Sequence, residues 1–219
     1  MLIEITGIGV HGEEFEGSAL DPPWAWVLDP IDGTFNYVVG SPMAAMLLAL
    51  LYHDDSMVGL TWMPFIGECY TAVVGRPMMK NLVPQSSPAP GEWSKVLVGA
   101  GKLKGDSRGW VPRRYRLAVV ENLSRACLRL RTHGSTGTDL VYVANGILCE
   151  AVIIGCYFWY HAAVVVLVQA AGDVVTDLAG ELWTPAAPCV VVAAPSLHSQ
   201  ILDILCGMGA PEDYRDVFG

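Results

Sequence analysis

Three observations predict a layered α/β or α+β fold for this 219-residue chain. Strand-like and helix-like segments are interleaved without strict alternation, which favours stacked layers over a doubly wound sheet. The composition is 53% hydrophobic and only 16% charged, with mean hydropathy +0.40, so a large core is available. The length suits one compact domain or one with two lobes.

The elements follow in chain order. Trp24 to Leu28 reads as a strand that runs into two aspartates. "MAAMLLALL", Met43 to Leu51, is apolar on every face and fits a central strand or a buried helix. "MVGLTWMP" and "ECYTAVVG" read as a strand pair around a turn at Phe65-Ile66-Gly67. "PQSSPAPG", Pro84 to Gly91, is a surface loop. It divides the chain into expected lobes 1–83 and 84–219, within one structural unit. "KVLVGAG" is a strand, Arg114 to Cys127 a helix, and "LRLRT" a short strand. Asp139 to Asn145 is expected to be a helix that stops at Gly146. "ILCEAVII" is a strand, His161 to Ala171 a helix, "DVVTDLAG" and "CVVVAA" strands, and Ser196 to Cys206 a last helix.

Charge and cysteine usage narrow the function classes. A formal net charge of −9 disfavours nucleic acid and anionic membrane as partners. Six scattered cysteines without a C-x-x-C pair suit reduced, buried thiols and a cytoplasmic protein. The opening "MLIEITGIGVHGEE" does not read as a signal peptide. The apolar tract Ile147 to Gly172 is interrupted by Glu150, His161 and Gln169, and reads as core rather than a membrane span.

"DPIDGT", Asp29 to Thr34, carries the chemistry. Pro30 biases Asp29 toward extended backbone, Gly33 permits a tight turn, and Thr34 is expected to cap a helix. Two carboxylates this close repel unless a proton or cation lies between them. Glu13 and Glu14 stand upstream in "GVHGEEF". An oxygen-only set of this kind suits Mg²⁺. A bare D-x-x-D would read as a turn and a helix cap; the full hexapeptide shifts the reading toward a cation.

The hexapeptide resembles the signature of the inositol monophosphatase family of metal-dependent, lithium-sensitive phosphatases. "GEE", sixteen residues before Asp29, resembles that family's metal-binding glutamate motif. "ECYTAVVG", "GSTGTDLVYVANG" (Gly134 to Gly146) and "WYHAAVVVLVQAAGDVVTDLAG" (Trp159 to Gly180) resemble further family segments, in family order. The resemblance implies alternating helix and sheet layers, here without the family's N-terminal helices. It implies that Glu13, Asp29 and the Ile31 carbonyl hold a first metal and that Asp29 and Asp32 share a second. Thr34 with Glu13 would orient the attacking water. Gly33, Gly134 and Ser135 would meet the substrate.

The pattern breaks at "WYHAA". Where the resemblance implies an aspartate, this chain has Tyr160, a poor magnesium ligand. His161 beside it is expected to be a satisfied buried histidine. Val164 stands in place of a glycine, Ile153 in place of a polyol-gripping acid, and "VVGS" in place of a basic stretch. Phe35, Tyr37, Val38, Ile153, Trp159 and Tyr160 are therefore expected to line a more apolar pocket. A homodimer is expected to cover the apolar sheet face left by the short N-terminus.

Three functions stay open on the sequence. The lead is an enzyme repurposed for an apolar small molecule, with Tyr160 or His161 and the surviving carboxylates as acid and base for cyclisation or isomerisation. The first alternative is a surviving Mg²⁺-dependent phosphomonoesterase on an inositol-like ester. The second is a non-catalytic binding protein. Whether Mg²⁺ still binds at a partial site is left open by Tyr160.

Overall fold

The computed structural model describes residues 2–13, 23–53, 55–87, 97–101, 103, 111–155, 157–187 and 189–215. Glu14, Cys156 and residues 88–91 of the expected lobe-boundary loop lie outside them. A short helix α1 (Leu2–Thr6) and a three-residue strand β1 (Val10–Gly12) precede β2 (Trp24–Asp32). After helix α2 (Thr34–Val38) come β3 (Ala45–Tyr52), β4 (Asp55–Met63), β5 (Glu68–Val73), β6 (Met79–Lys80) and β7 (Val83–Pro84). These seven strands form one sheet in chain order, with β1 parallel to β2 and the rest antiparallel.

The second half gives β8 (Leu97–Ala100), α3 (Arg113–Ala126), β9 (Arg129–Arg131), α4 (Thr136–Ala144) and β10 (Glu150–Ile154). A 3-10 turn (Phe158–Tyr160) leads into α5 (Ala162–Ala171), followed by β11 (Val174–Thr176), β12 (Cys189–Ala193) and α6 (Pro195–Gly207). The second sheet has the order β11-β12-β10-β8-β9 and mixed direction.

The layering follows from side-chain period. In β2 and β3 alternate residues are buried: Ala25, Val27 and Asp29, then Ala45, Leu47, Ala49 and Leu51. That inner face meets α5, which is buried from Ala162 to Val168 because it is apolar all round. Helices α4 and α5 join the two sheets in one core that includes Leu47, Tyr70, Leu140, Val166 and Val192. A second core under α3 and α6 covers the far face of the second sheet with Tyr115, Leu123, Leu197 and Ile201. Among the described residues no helix is long and apolar enough to cross a membrane. The Ile147 to Gly172 tract is thus a buried strand followed by a buried helix.

Two helix starts differ from expectation in how they are capped. Helix α4 begins at Thr136, three residues before Asp139, because the Ser135 hydroxyl caps it by accepting from the Thr138 amide. Thr34 does not cap α2. Gly33 occupies the cap position in left-handed backbone, and the Thr34 hydroxyl donates to the Ile31 carbonyl.

Candidate active site

The site begins with a defect in pairing. Between Asp29 and Asp32 the register against β3 advances three residues on β2 but only two on β3, from Leu47 to Ala45. In a regular strand residues 29 and 31 would share a face. The extra residue of this bulge, which contains Pro30, makes residues 29 and 32 share it instead. Both carboxylates therefore enter the interior, where Asp29 is 0% and Asp32 5% exposed.

Their surroundings differ sharply. Asp32 Oδ2 accepts from the Ser135 hydroxyl at 2.6 Å and the Gly137 amide at 2.7 Å, and Oδ1 accepts from the Thr136 amide at 3.2 Å. It thus satisfies the free amides at the start of α4, where the helix dipole also favours a negative charge. Burial pushes its carboxyl up to about 6, with these hydrogen bonds and the Ser135 contact pulling the other way. Asp29 has its local turn, in which Oδ1 accepts from the Ile31 amide at 3.0 Å, and it faces the Glu13 carboxyl. Its Oδ2 is buried with no hydrogen-bond partner. Burial, then the charges of Asp32 and Glu13, push Asp29 up to about 8.

Glu13 reaches this place because β1 lies hard against β2. A Cβ on Gly12 would sit 1.9 Å from the Leu28 carbonyl oxygen, so only glycine allows the approach. Its carboxylate accepts a hydrogen bond from the Tyr160 hydroxyl at 2.9 Å. Burial and the Glu13 charge push the Tyr160 phenol well above its usual range, so it stays a donor. Gly33, at φ 78°, turns the chain out of β2 with its Cα facing Ser135 and the Met43 carbonyl.

These residues enclose a cleft of about 440 Å³, lined by Glu13, Asp29, Ile31, Asp32, Gly33 and Thr34 on one side. Phe35, Asn36, Gly101, Gly134, Ser135, Thr136, Asp139 and Tyr160 complete it. Among the described residues four carboxylates face this space and no lysine or arginine does. An acid-lined, partly dry cleft accepts an anionic ester only with a cation between them. The donor set fits a hard divalent ion: all oxygen, with one buried carboxylate oxygen lacking any partner. Among the described residues no three His, Cys, Asp or Glu side chains are grouped so that they alone could hold a metal ion. That agrees with Asp32 being committed to α4 and with the phenol of Tyr160 standing against Glu13.

Several expected pocket residues lie elsewhere. Ile153 is 2% exposed inside the central core, and Trp159 packs against that core and on Tyr157 rather than into the cleft. His161 is fully buried beside Trp183, and neither ring nitrogen has a partner, so it is not the satisfied histidine expected. Burial drives it down to about 4, leaving a neutral ring sealed away from the cleft. Phe35 alone of the expected apolar wall, with Tyr160, borders the cleft, and it is 79% exposed at the rim.

Two cleft-lining residues, Asp139 and Asn36, were not singled out from the sequence. Asp139, one turn into α4, faces the cleft and pairs with His133 Nδ1. Burial raises its carboxyl, opposed by the His133 contact. Asn36 donates from one amide nitrogen to the carbonyls of Met43 and His133, tying the loop after β2 to the loop before α4. The i, i+4 spacing of Ser135 and Asp139 was the available signal for Asp139. Nothing local marked Asn36, whose partners lie 7 and 97 residues away.

The comparisons agree with this geometry. Residues 4–208 match the model of the inositol monophosphatase family. A relative named probable inositol 1-monophosphatase ImpA, from Mycobacterium tuberculosis, is 59% identical over 213 residues, covering 97% of this chain and 79% of its own. The inositol-1-monophosphatase ImpA of Mycolicibacterium smegmatis is 53% identical over 213 residues, covering 97% and 77%. An IMPase from Thermotoga maritima superposes with TM-score 0.84 at 20% identity, over 94% of this chain and 77% of that one, which speaks for the fold. By motif order, by layer architecture and by these matches, the chain belongs to the inositol monophosphatase family.

Proposed function

We propose that the protein hydrolyses a small phosphomonoester of a polyol with the help of a divalent cation, inositol 1-phosphate being the first substrate to test. One observation carries this: the fully buried Asp29 has an unpartnered oxygen at a cleft lined, among the described residues, by four carboxylates and no lysine or arginine. The names of the ImpA relatives support the same activity. The expectation of a repurposed enzyme has less support, because its apolar wall of Ile153 and Trp159 and its candidate acid or base His161 lie outside the cleft.

Each residue has a separable task. Asp29, Glu13 and the Ile31 carbonyl would hold the cation, which when bound supplies positive charge to phosphate oxygens and acidifies a water. Asp32 fixes the start of α4 and so places Ser135 at the cleft. Gly134 and Ser135 lie where the positive end of the α4 dipole faces the anion. The Thr34 hydroxyl spends its proton on the Ile31 carbonyl, which leaves its lone pairs to accept from an attacking water. Phe35 at the rim shields one side of the reacting group from solvent.

Phosphate release from inositol 1-phosphate, with and without Mg²⁺, tests the proposal. Turnover that requires Mg²⁺ and falls by about 10²–10³ in Asp29→Asn is expected. Turnover indifferent to both would overturn it. A cytoplasmic location is proposed on Cys69, Cys127, Cys149 and Cys206, whose thiols are free. A homodimer is proposed on the outer face of the first sheet, where Trp24, Tyr52, Trp62 and Val73 are 38–48% exposed. Sedimentation velocity at two concentrations tests it.

A further inference from the structure

Glu13 is a weakly supported residue in a demanding place. It directly follows a strand of three residues at the sheet edge, and its side chain is exposed. It also faces Asp29, and the two carboxylates repel each other once both are ionised, as a cation site requires. A carboxylate so placed would swing toward solvent unless something held it in.

The holder is the turn before α5. Its Phe158 ring stacks on His11 of β1 at 5.5 Å between centroids. Its Trp159 ring stacks on Tyr157 at 4.5 Å, and Tyr157 meets the Tyr160 ring edge-on at 5.7 Å. Tyr160 is thereby fixed from behind, with its hydroxyl 2.9 Å from Glu13 Oε1. The contact joins residues 147 apart in sequence, so the end of β1 and the turn before α5 meet through it.

We propose that Tyr160 is a positioning residue that holds Glu13 over Asp29, so that the two carboxylates act as one cation-binding pair. This rests on the metal-assisted function above. A phenol suits the task better than a charged side chain. It donates a single hydrogen bond to Oε1 and leaves Oε2 free, whereas a lysine would neutralise Glu13 and a further carboxylate would repel it.

The test is a titration of Mn²⁺ into the full chain by calorimetry, for wild type, Tyr160→Phe, Glu13→Gln and the double variant. Tyr160→Phe keeps the ring and its stacking, and a thermal melt confirms folding. Loss of one hydrogen bond to a carboxylate is expected to weaken Mn²⁺ binding by about tenfold. The same change made on top of Glu13→Gln should have no effect, because the group being held is then already uncharged. Equal or tighter binding by Tyr160→Phe overturns the proposal, as does an effect that persists in the Glu13→Gln background. If wild type and Asp29→Asn alike bind no Mn²⁺, the metal-assisted function fails first, and the role of Tyr160 falls with it.

Discussion

Two strands of this protein bury carboxyl groups, and for different ends. At the cleft end of β2, Asp29 is pushed up to about 8 by burial together with the charges of Asp32 and Glu13. In β10, Glu150 is pushed to about 8 by burial alone. Both are 0% exposed and both have unpartnered oxygens, Glu150 on both of its atoms. Asp29 borders an open cleft with other carboxylates, while Glu150 lies between β8 and β12 and lines none of the described pockets near the cleft. A shifted carboxyl thus signals chemistry only where neighbouring groups give a ligand somewhere to bind. Where they do not, the group is held neutral and simply costs stability.

The largest expected difference between the two lies in activity. Asp29→Asn should lower phosphate release by about 10²–10³, whereas Glu150→Gln should leave the turnover number unchanged, as a Mg²⁺-dependent phosphate assay will read. Within β2 the two aspartates should also separate. Asp32→Ala strands the Ser135 hydroxyl and the Thr136 and Gly137 amides, and should cost about 3 kcal/mol in urea unfolding. Asp29→Asn, which removes a carboxyl that is costly to ionise in that place, should leave the cation-free protein at least as stable as wild type.

Glu150 supplies the pH test. Its folded value lies above its ordinary one, so the folded state holds the extra proton. Stability from this group is full below about 4.5 and is lost as pH rises toward about 8. Glu150→Gln should therefore be near neutral at pH 4.5 and stabilising by on the order of 2 kcal/mol at pH 8, read from melts at the two pH values. A constant difference across that range would place the charged carboxylate in contact with water. The smallest effect is expected at Thr34. Thr34→Val loses one exposed hydrogen bond and should change folding stability by about 0.5 kcal/mol. Its effect on turnover should be larger than that, because the water loses an acceptor.

The sequence by itself determined a good deal of this protein. Period and composition marked the strands at Trp24, "MVGLTWMP" and "ECYTAVVG" and the buried helix at Ala162, because apolar alternation and all-round apolarity are local properties of the chain, while Met43 to Leu51, apolar on every face, left strand and helix open until pairing decided for a strand. "DPIDGT" and the glutamate before it marked the acidic end of β2, because proline and glycine there constrain the backbone whatever surrounds them. Tertiary structure decided how the groups are used. The bulge that puts Asp32 rather than Ile31 on the inner face depends on pairing with β3, and the commitment of Asp32 to α4 spans more than a hundred residues. Ile153 and Trp159 were assigned to the wrong compartment because a strand or turn position does not say which layer will cover it. The contact from Tyr160 to Glu13 joins two elements whose approach is set by the packing of α5 against the first sheet, and no local pattern encodes that distance.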